Sequence, residues 1–281
     1  MDTPRQYLAN KPTARLAAFA VVLAAVFGIA ALAGAAVGPE PQKRVASHGG
    51  GDDAMAMHSP AGLAIEQDGY RLAVENTTFH ANRSATLRFR VIDSDGLPVR
   101  DFDEEHGARL HLIVVRRDLT GYQHLHPRLA QDGTWSIALK LPQPGSYRMF
   151  ADFHSAGHDL TLGADLFAPG HFTPRPLPAP ATTAAVDGYD VELTEDKPGV
   201  LHFKVSRNGR EVTDLQPYLG ARGHLVALRE GDLAYLHVHP EEGPEPGAGI
   251  SFGTEIPSDG RYRLYLQFRH GGAVHTAELT R

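Results

Sequence analysis

Two short stretches hold the residues best suited to chemistry, GYQHLHP at Gly121–Pro127 and AYLHVHP at Ala234–Pro240. Each carries a pair of histidines two positions apart, His124 with His126 and His237 with His239. On a β-strand such positions share a face, so each pair can present two imidazoles to one ion. A third histidine stands thirteen residues ahead of each pair, His111 in the first case and His224 in the second. If a turn folds that strand back as a hairpin, the third ring approaches the pair. A fourth ligand is available on a later strand, from His154 or His158 and from His270 or His275.

Three or four imidazoles without a thiolate suit copper(II) or zinc, and nickel less well. The chain has no cysteine. That excludes disulfides, a blue-copper centre and a cysteine nucleophile. The expected metal ligands are thus His111, His124, His126, His154, His224, His237, His239 and His270, with copper or zinc as the ion. The competing readings are a buried hydrogen-bond network and a surface that recognises another protein of the cell envelope. In the network, Asp101 and Asp214 would receive histidine protons, and Arg109 and Arg222 would hold turns through bidentate carboxylate pairs. No HExxH helix, GxSxG elbow, paired-carboxylate motif or phosphate loop is present, so no catalytic residue is assigned.

The elements that carry these histidines are duplicated. His111, His124 and His126 recur as His224, His237 and His239 at one offset of 113. GAR at Gly107–Arg109 recurs at Gly220–Arg222, LRFRV at Leu87–Val91 as LHFKV at Leu201–Val205, and Asp101 as Asp214. Further on, alternating strands end in Phe153 and Phe268. An ordered series of this kind marks a tandem repeat. TLRFRVID, WSIALKL, VLHFKVS and YRLYLQFRH alternate with period two and are separated by turn residues such as DSDG and SRNG. About 110 residues with roughly seven short strands is the size of a β-sandwich. The expected class is all-β, two tandem immunoglobulin-like or cupredoxin-like sandwiches, over residues 61–173 and 183–281. TPRPLPAPATT supplies a stiff, extended linker over 174–182. Trp135 is expected in the first core.

Residues 16–37 form an uncharged apolar run of 22 residues, LAAFAVVLAAVFGIAALAGAAV, preceded by Arg5, Lys11 and Arg15. At about 1.5 Å per residue it is long enough to cross a hydrocarbon core of roughly 30 Å. The expected order is therefore a cytoplasmic tail over 1–15, a transmembrane anchor over 16–37, and a tether over 38–60. The flanking positive charges place everything that follows outside the cytoplasm. A cleaved signal with Ala31-Leu32-Ala33 at its end, and a buried helix, are the alternatives. Met55, Met57, His48 and His58 in the tether are weak additional metal donors. The net charge of -6 and the absence of basic runs past the anchor exclude nucleic acid as a partner. Nothing in the pattern fixes an oligomeric state.

The anchor, the extracytoplasmic sandwiches and the strand histidines together resemble small bacterial envelope proteins that handle copper, among them YtkA-like and periplasmic copper-resistance sandwich domains. The alanine-rich anchor is similar in style to actinobacterial sequences. The resemblance implies copper or zinc capture, delivery or tolerance. Such domains usually draw on an N-terminal histidine or methionine-rich loops, and the second repeat contains no methionine.

Overall fold

A computed structural model describes residues 12–37, 60–236, 238–241, 249–254 and 259–281. The chain divides into a unit over 1–55 and a unit over 56–281. In the first, Pro12–Val37 is an α-helix of 26 residues. Among the described residues no helix is long and apolar enough to cross a membrane. The anchor expected at 16–37 is therefore not shown, and the methionines and histidines of the tether lie outside the described residues.

The second unit is all-β, and among the described residues its strands pair antiparallel, with one isolated parallel bridge between Thr78 and Phe167. Each repeat folds as two facing sheets. In the first, one sheet runs Glu66–Gln67, Tyr70–Val74, Ser84–Ile92, Trp135–Lys140, Arg128–Leu129. The other runs Gln123–Leu125, His111–Arg116, Gly145–Ser155, His158–Ala168. The second repeat reproduces this with Tyr235–Leu236, Gly223–Arg229, Tyr262–His270 and Ala273–Thr280 as its four-stranded sheet. Period-two alternation fills both cores: Leu87, Phe89, Leu112, Val114 and Met149 in the first, Leu201, Phe203, Leu225, Ala227 and Leu266 in the second. Trp135 sits in the first core, its ring against Phe89 and Phe102.

The two four-stranded sheets do not turn their outer faces to water. His111–Arg116 is buried at every position. Leu112 and Val114 face their own core, while Ile113 and Val115 join Leu119, Phe150, Val226, Leu228, Leu233, Tyr235 and Tyr265 in a third apolar cluster shared by both repeats. Its contacts are reciprocal. Tyr122 stacks on Tyr265 at 4.1 Å, and the counterpart of Tyr122 in the second repeat, Tyr235, packs on Phe150 at 5.5 Å. The sandwiches thus meet as the halves of a two-fold dimer would, within one chain. Leu177 of the proline-rich linker also packs on this cluster, so the linker lies against the joint.

The entry segment is threaded into the same joint. The Ala61 carbonyl accepts from Tyr235 N–H at 2.9 Å, and Arg148 donates to the carbonyls of Gly62 and Leu63. Gly163 is required there, because a Cβ would lie 2.0 Å from the Gly62 carbonyl oxygen. Across the joint, the buried Tyr265 hydroxyl donates to the Leu119 carbonyl at 2.6 Å. Tyr265→Phe leaves that acceptor unpaired and is expected to cost about 1–3 kcal/mol, measured by urea denaturation. An unchanged midpoint would show that water replaces the bond.

Candidate metal centre

The alternation that sends Ile113 and Val115 into the joint sends His111 there too. His124 pairs with Ile113 and so shares its face. In the second repeat His224 is in step with Val226 and Leu228, and it pairs with Gln267, which is in step with Tyr265. The strand pattern therefore delivers His111, His124, His224 and Gln267 to the rim of one interface.

There the rings converge. His111, His124 and His224 each offer a nitrogen, and these atoms all lie within 4.8 Å of one another. His111 Nδ1 is 3.0 Å from His124 Nε2 and 3.3 Å from His126 Nε2. The His111 and His224 rings stack at 5.6 Å and 18°, and His124 lies 4.5 Å from His224 by ring centroids. The outward nitrogens fix the tautomers. The Glu105 carbonyl can only accept, so His111 Nε2 donates to it at 3.1 Å. His124 Nδ1 donates to Gln267 Oε1 at 2.6 Å, with the carboxamide oriented so that its Nε2 faces Thr276. His111 Nδ1 and His124 Nε2 are then both lone pairs, facing each other. His126 can donate one proton to His111, which leaves His124 Nε2 short. His224 Nδ1 is buried and has no hydrogen-bond partner among the described residues.

A proton is poorly suited to fill this cluster. Burial holds His111 and His224 below the ordinary imidazole value, with His224 further depressed by His124 and His111. His124 is lowered to about 3, by burial first and then by His111 and His126, against the opposing effect of Gln267. His126 is lowered by burial and by His111. The rings are neutral at pH 7, the form that ligates metals. Nitrogens held about 2.0–2.1 Å from a tetrahedral zinc stand about 3.3–3.4 Å apart. His126 stands at that spacing from His111, at 3.3 Å, His124 is closer to it at 3.0 Å, and the His224 nitrogen lies within 4.8 Å, so small ring shifts would complete the set. A hydrogen-bond acceptor behind each ring is the usual arrangement for ligating imidazole.

Neutral burial also has a consequence for folding. Unfolded, His124 takes up a proton below about pH 6.5, whereas folded it does so only near 3. The unfolded chain binds more protons in this window, so stability is full above pH 6.5 and falls as the pH drops. From His124 alone the expected loss between pH 7 and pH 5 is about 2 kcal/mol in metal-free protein. Urea unfolding at the two pH values measures it. Equal stabilities would mean the ring is already charged or solvated.

The structure places His154 and His270 elsewhere. His154 meets Asp159 at 2.6 Å, Asp103 at 3.5 Å and Glu105 at 3.6 Å, apart from the imidazole cluster. His270 binds the Tyr189 hydroxyl at 2.7 Å and Asp214 at 3.1 Å, and His275 binds Asp187 at 2.8 Å. His237 lies outside the described residues, and of His239 only the backbone is described. Around them the chain changes sheets: Tyr235–Leu236 pairs with Gly223–Arg229, but Val238–Glu241 pairs with Ile250–Thr254. His126 likewise lies past the end of its strand, Gln123–Leu125, before Arg128–Leu129 joins the opposite sheet. The expected continuous H-x-H strand is therefore interrupted in the first repeat, and in the second the strands on either side of His237 belong to different sheets. Among the described residues, Arg109 and Arg222 form no carboxylate pair. That role falls to Arg116 with Asp118, at 2.7 Å, and to Arg229 with Asp232. Gln267 and the Glu105 carbonyl were not anticipated. Gln267 falls on the outer-facing alternation of YLQF, opposite Leu264, Leu266 and Phe268 of the core, where a polar residue gives no cue.

A family described as a domain of unknown function (DUF8832) matches residues 65–168 and 184–281, one segment in each sandwich. No curated protein matches. Among solved structures, the chain is similar to the Escherichia coli adhesin FdeC, with 15% identity and a TM-score of 0.26, covering 77% of this chain and 65% of that one. It is similar to Yersinia pseudotuberculosis InvD, with 12% identity and a TM-score of 0.25, covering 75% and 57%. It is also similar to domains 5–6 of the S-layer protein SbsC, with 12% identity and a TM-score of 0.22, covering 74% and 95%. The chain thus spans less than two thirds of the first two. Likeness at this level assigns this chain neither partner nor activity. The comparisons lend no support to YtkA-like or copper-resistance kinship, nor to an actinobacterial origin.

Proposed function

The chain belongs to the family described as domain of unknown function (DUF8832), and we propose that this member holds one zinc or copper ion between its two sandwiches. His111, His124 and His224 are the ligands, with His126 beside them. One observation carries the reading: ring nitrogens converge at the half-buried rim of the joint, two of the rings backed by outward hydrogen bonds and the third with a buried nitrogen that has no partner among the described residues. Neither the family description nor the fold neighbours add to it. Residues 16–37 would anchor the module, with Arg5, Lys11 and Arg15 on the cytoplasmic side and the sandwiches outside. Capture or delivery of the ion at the envelope is the role this arrangement suits.

The ion would bridge the repeats, since His224 comes from one and His111 and His124 from the other. Binding then adds to the cohesion of the joint. At a free ion concentration 1,000 times Kd, the added stability is about 4 kcal/mol. Calorimetric titration of the full chain with zinc, and separately with copper(II), is the test. The expected result is one tight equivalent and a raised melting temperature. Absence of any tight equivalent with either ion would overturn the reading.

A second reading has its own support. The shared apolar cluster and the Tyr265–Leu119 bond join the sandwiches without an ion. On that reading the histidines are part of the adhesive network of an envelope structural or interaction module. The same titration separates the two.

A further inference from the structure

Beside the imidazole cluster lies a second group of cation ligands with harder chemistry. Glu105, His154 and Asp159 present ligand atoms that all lie within 4.8 Å of one another. Asp103 adds a carboxylate oxygen 3.5 Å from His154 Nε2. These side chains come from the loop before His111 and from the ends of Gly145–Ser155 and His158–Ala168. Three carboxylates around one imidazole leave an excess of negative charge at the surface.

Carboxylates in a cluster are common without an ion, and the geometry alone would not distinguish this group. The observation that does is its connection. A single cavity of about 130 Å³ is lined by Asp103, Glu105, His154 and Asp159 and also by His111 and His224. His224 is the residue whose buried Nδ1 has no partner among the described residues. Glu105 belongs to both groups, since its side chain is part of the outer one while its carbonyl accepts a hydrogen bond from His111 Nε2 at 3.1 Å.

We propose that Glu105, His154 and Asp159, with Asp103, form an outer cation site that captures a divalent ion and passes it through this cavity to the imidazoles between the sandwiches. The order of ligands suits the task. Zinc and copper prefer imidazole over carboxylate ligands, so an exposed, carboxylate-rich group holds them more loosely than a set of neutral imidazoles. A negatively charged mouth also raises the arrival rate of cations, by about 10- to 1,000-fold in steered systems. The inner ligands His124 and His224 are only partly buried, and the shared cavity gives one approach to His111 and His224 from the outer group. The proposal rests on the inner-site reading for its second half only.

Zinc ion alone is the probe, added to the full chain, with binding followed by calorimetry and loading by stopped-flow competition with a chromophoric chelator. The wild-type chain should take two equivalents, one tight and one weak. His124→Ala with His224→Ala should keep only the weak one. His154→Ala with Asp159→Asn should keep only the tight one, and should load it about 10-fold or more slowly. If that variant keeps the weak equivalent and the wild-type loading rate, the outer site is overturned. If the wild type lacks the tight equivalent but the weak one still depends on His154 and Asp159, the inner-site reading and the transfer step fail and the outer site stands.

Discussion

His124→Ala combined with His224→Ala is expected to weaken zinc binding at the tight site by about a thousandfold, or about 4 kcal/mol. The pair removes one ligand from each sandwich, so no three-imidazole set remains across the joint. Copper(II) should follow the same pattern. Gln267→Leu should weaken binding by about 10- to 100-fold without removing a ligand, because His124 Nδ1 loses the acceptor that orients its ring. This graded series separates a metal centre from a structural network. In a network the variants alter stability and leave no tight equivalent to lose. Circular dichroism of each metal-free variant establishes that the sandwiches are still folded. Retention of wild-type affinity in the double variant would exclude these ligands.

Phe150→Ala is expected to destabilise the metal-free chain by about 3–5 kcal/mol. Phe150 is fully buried, but it lies in the cluster shared by the repeats and not in the core of its own sandwich. Its ring packs on Tyr235 and is flanked by the Arg148 guanidinium at 6.0 Å. The damage should therefore appear as a loosened joint. Affinity for zinc should fall as well, although Phe150 contacts no ligand, since His224 would no longer be held against His111 and His124. Chemical denaturation measures the first effect and titration the second. A core position such as Met149 gives the contrast: Met149→Ala should lower stability with a smaller effect on affinity. Equal effects on affinity from both would mean the joint does not position the site.

The comparison of these two neighbours shows what was legible in the sequence. The repeat, the alternating strands and the duplicated histidines could all be read from residue types, because period two and a fixed offset are local properties. Met149 and Leu112 follow from alternation. Phe150, Ile113 and Val226 do not, because a single half-buried sheet would turn them to solvent. HLIVVR was the available signal: an unbroken apolar run belongs to a strand covered on both faces. Taken that way, it places the outer faces of the four-stranded sheets against something apolar, and the equivalent HLVALR is the matching surface.

The site was harder to read because its ligands come from different copies. Offsets pair His224 with His237 and His239 as naturally as His111 pairs with His124 and His126. Sequence spacing cannot see that the chain switches sheets after Leu236, nor that the reciprocal packing of Tyr122 on Tyr265 and Tyr235 on Phe150 brings His224 onto His111. His154 and His270 were natural choices for a fourth ligand because both follow a phenylalanine at a strand end. That strand end carries them away from the joint, to Asp159 in one repeat and to Asp214 in the other.

X-ray absorption at the zinc edge, on the full chain loaded with one equivalent, tests the central claim most directly. The expected spectrum has at least three nitrogen neighbours at about 2.0–2.1 Å, with the outer-shell scattering of imidazole rings. The His124→Ala, His224→Ala variant should lose that shell. A wild-type first shell made of oxygens, with no imidazole scattering, would contradict a metal centre between the sandwiches.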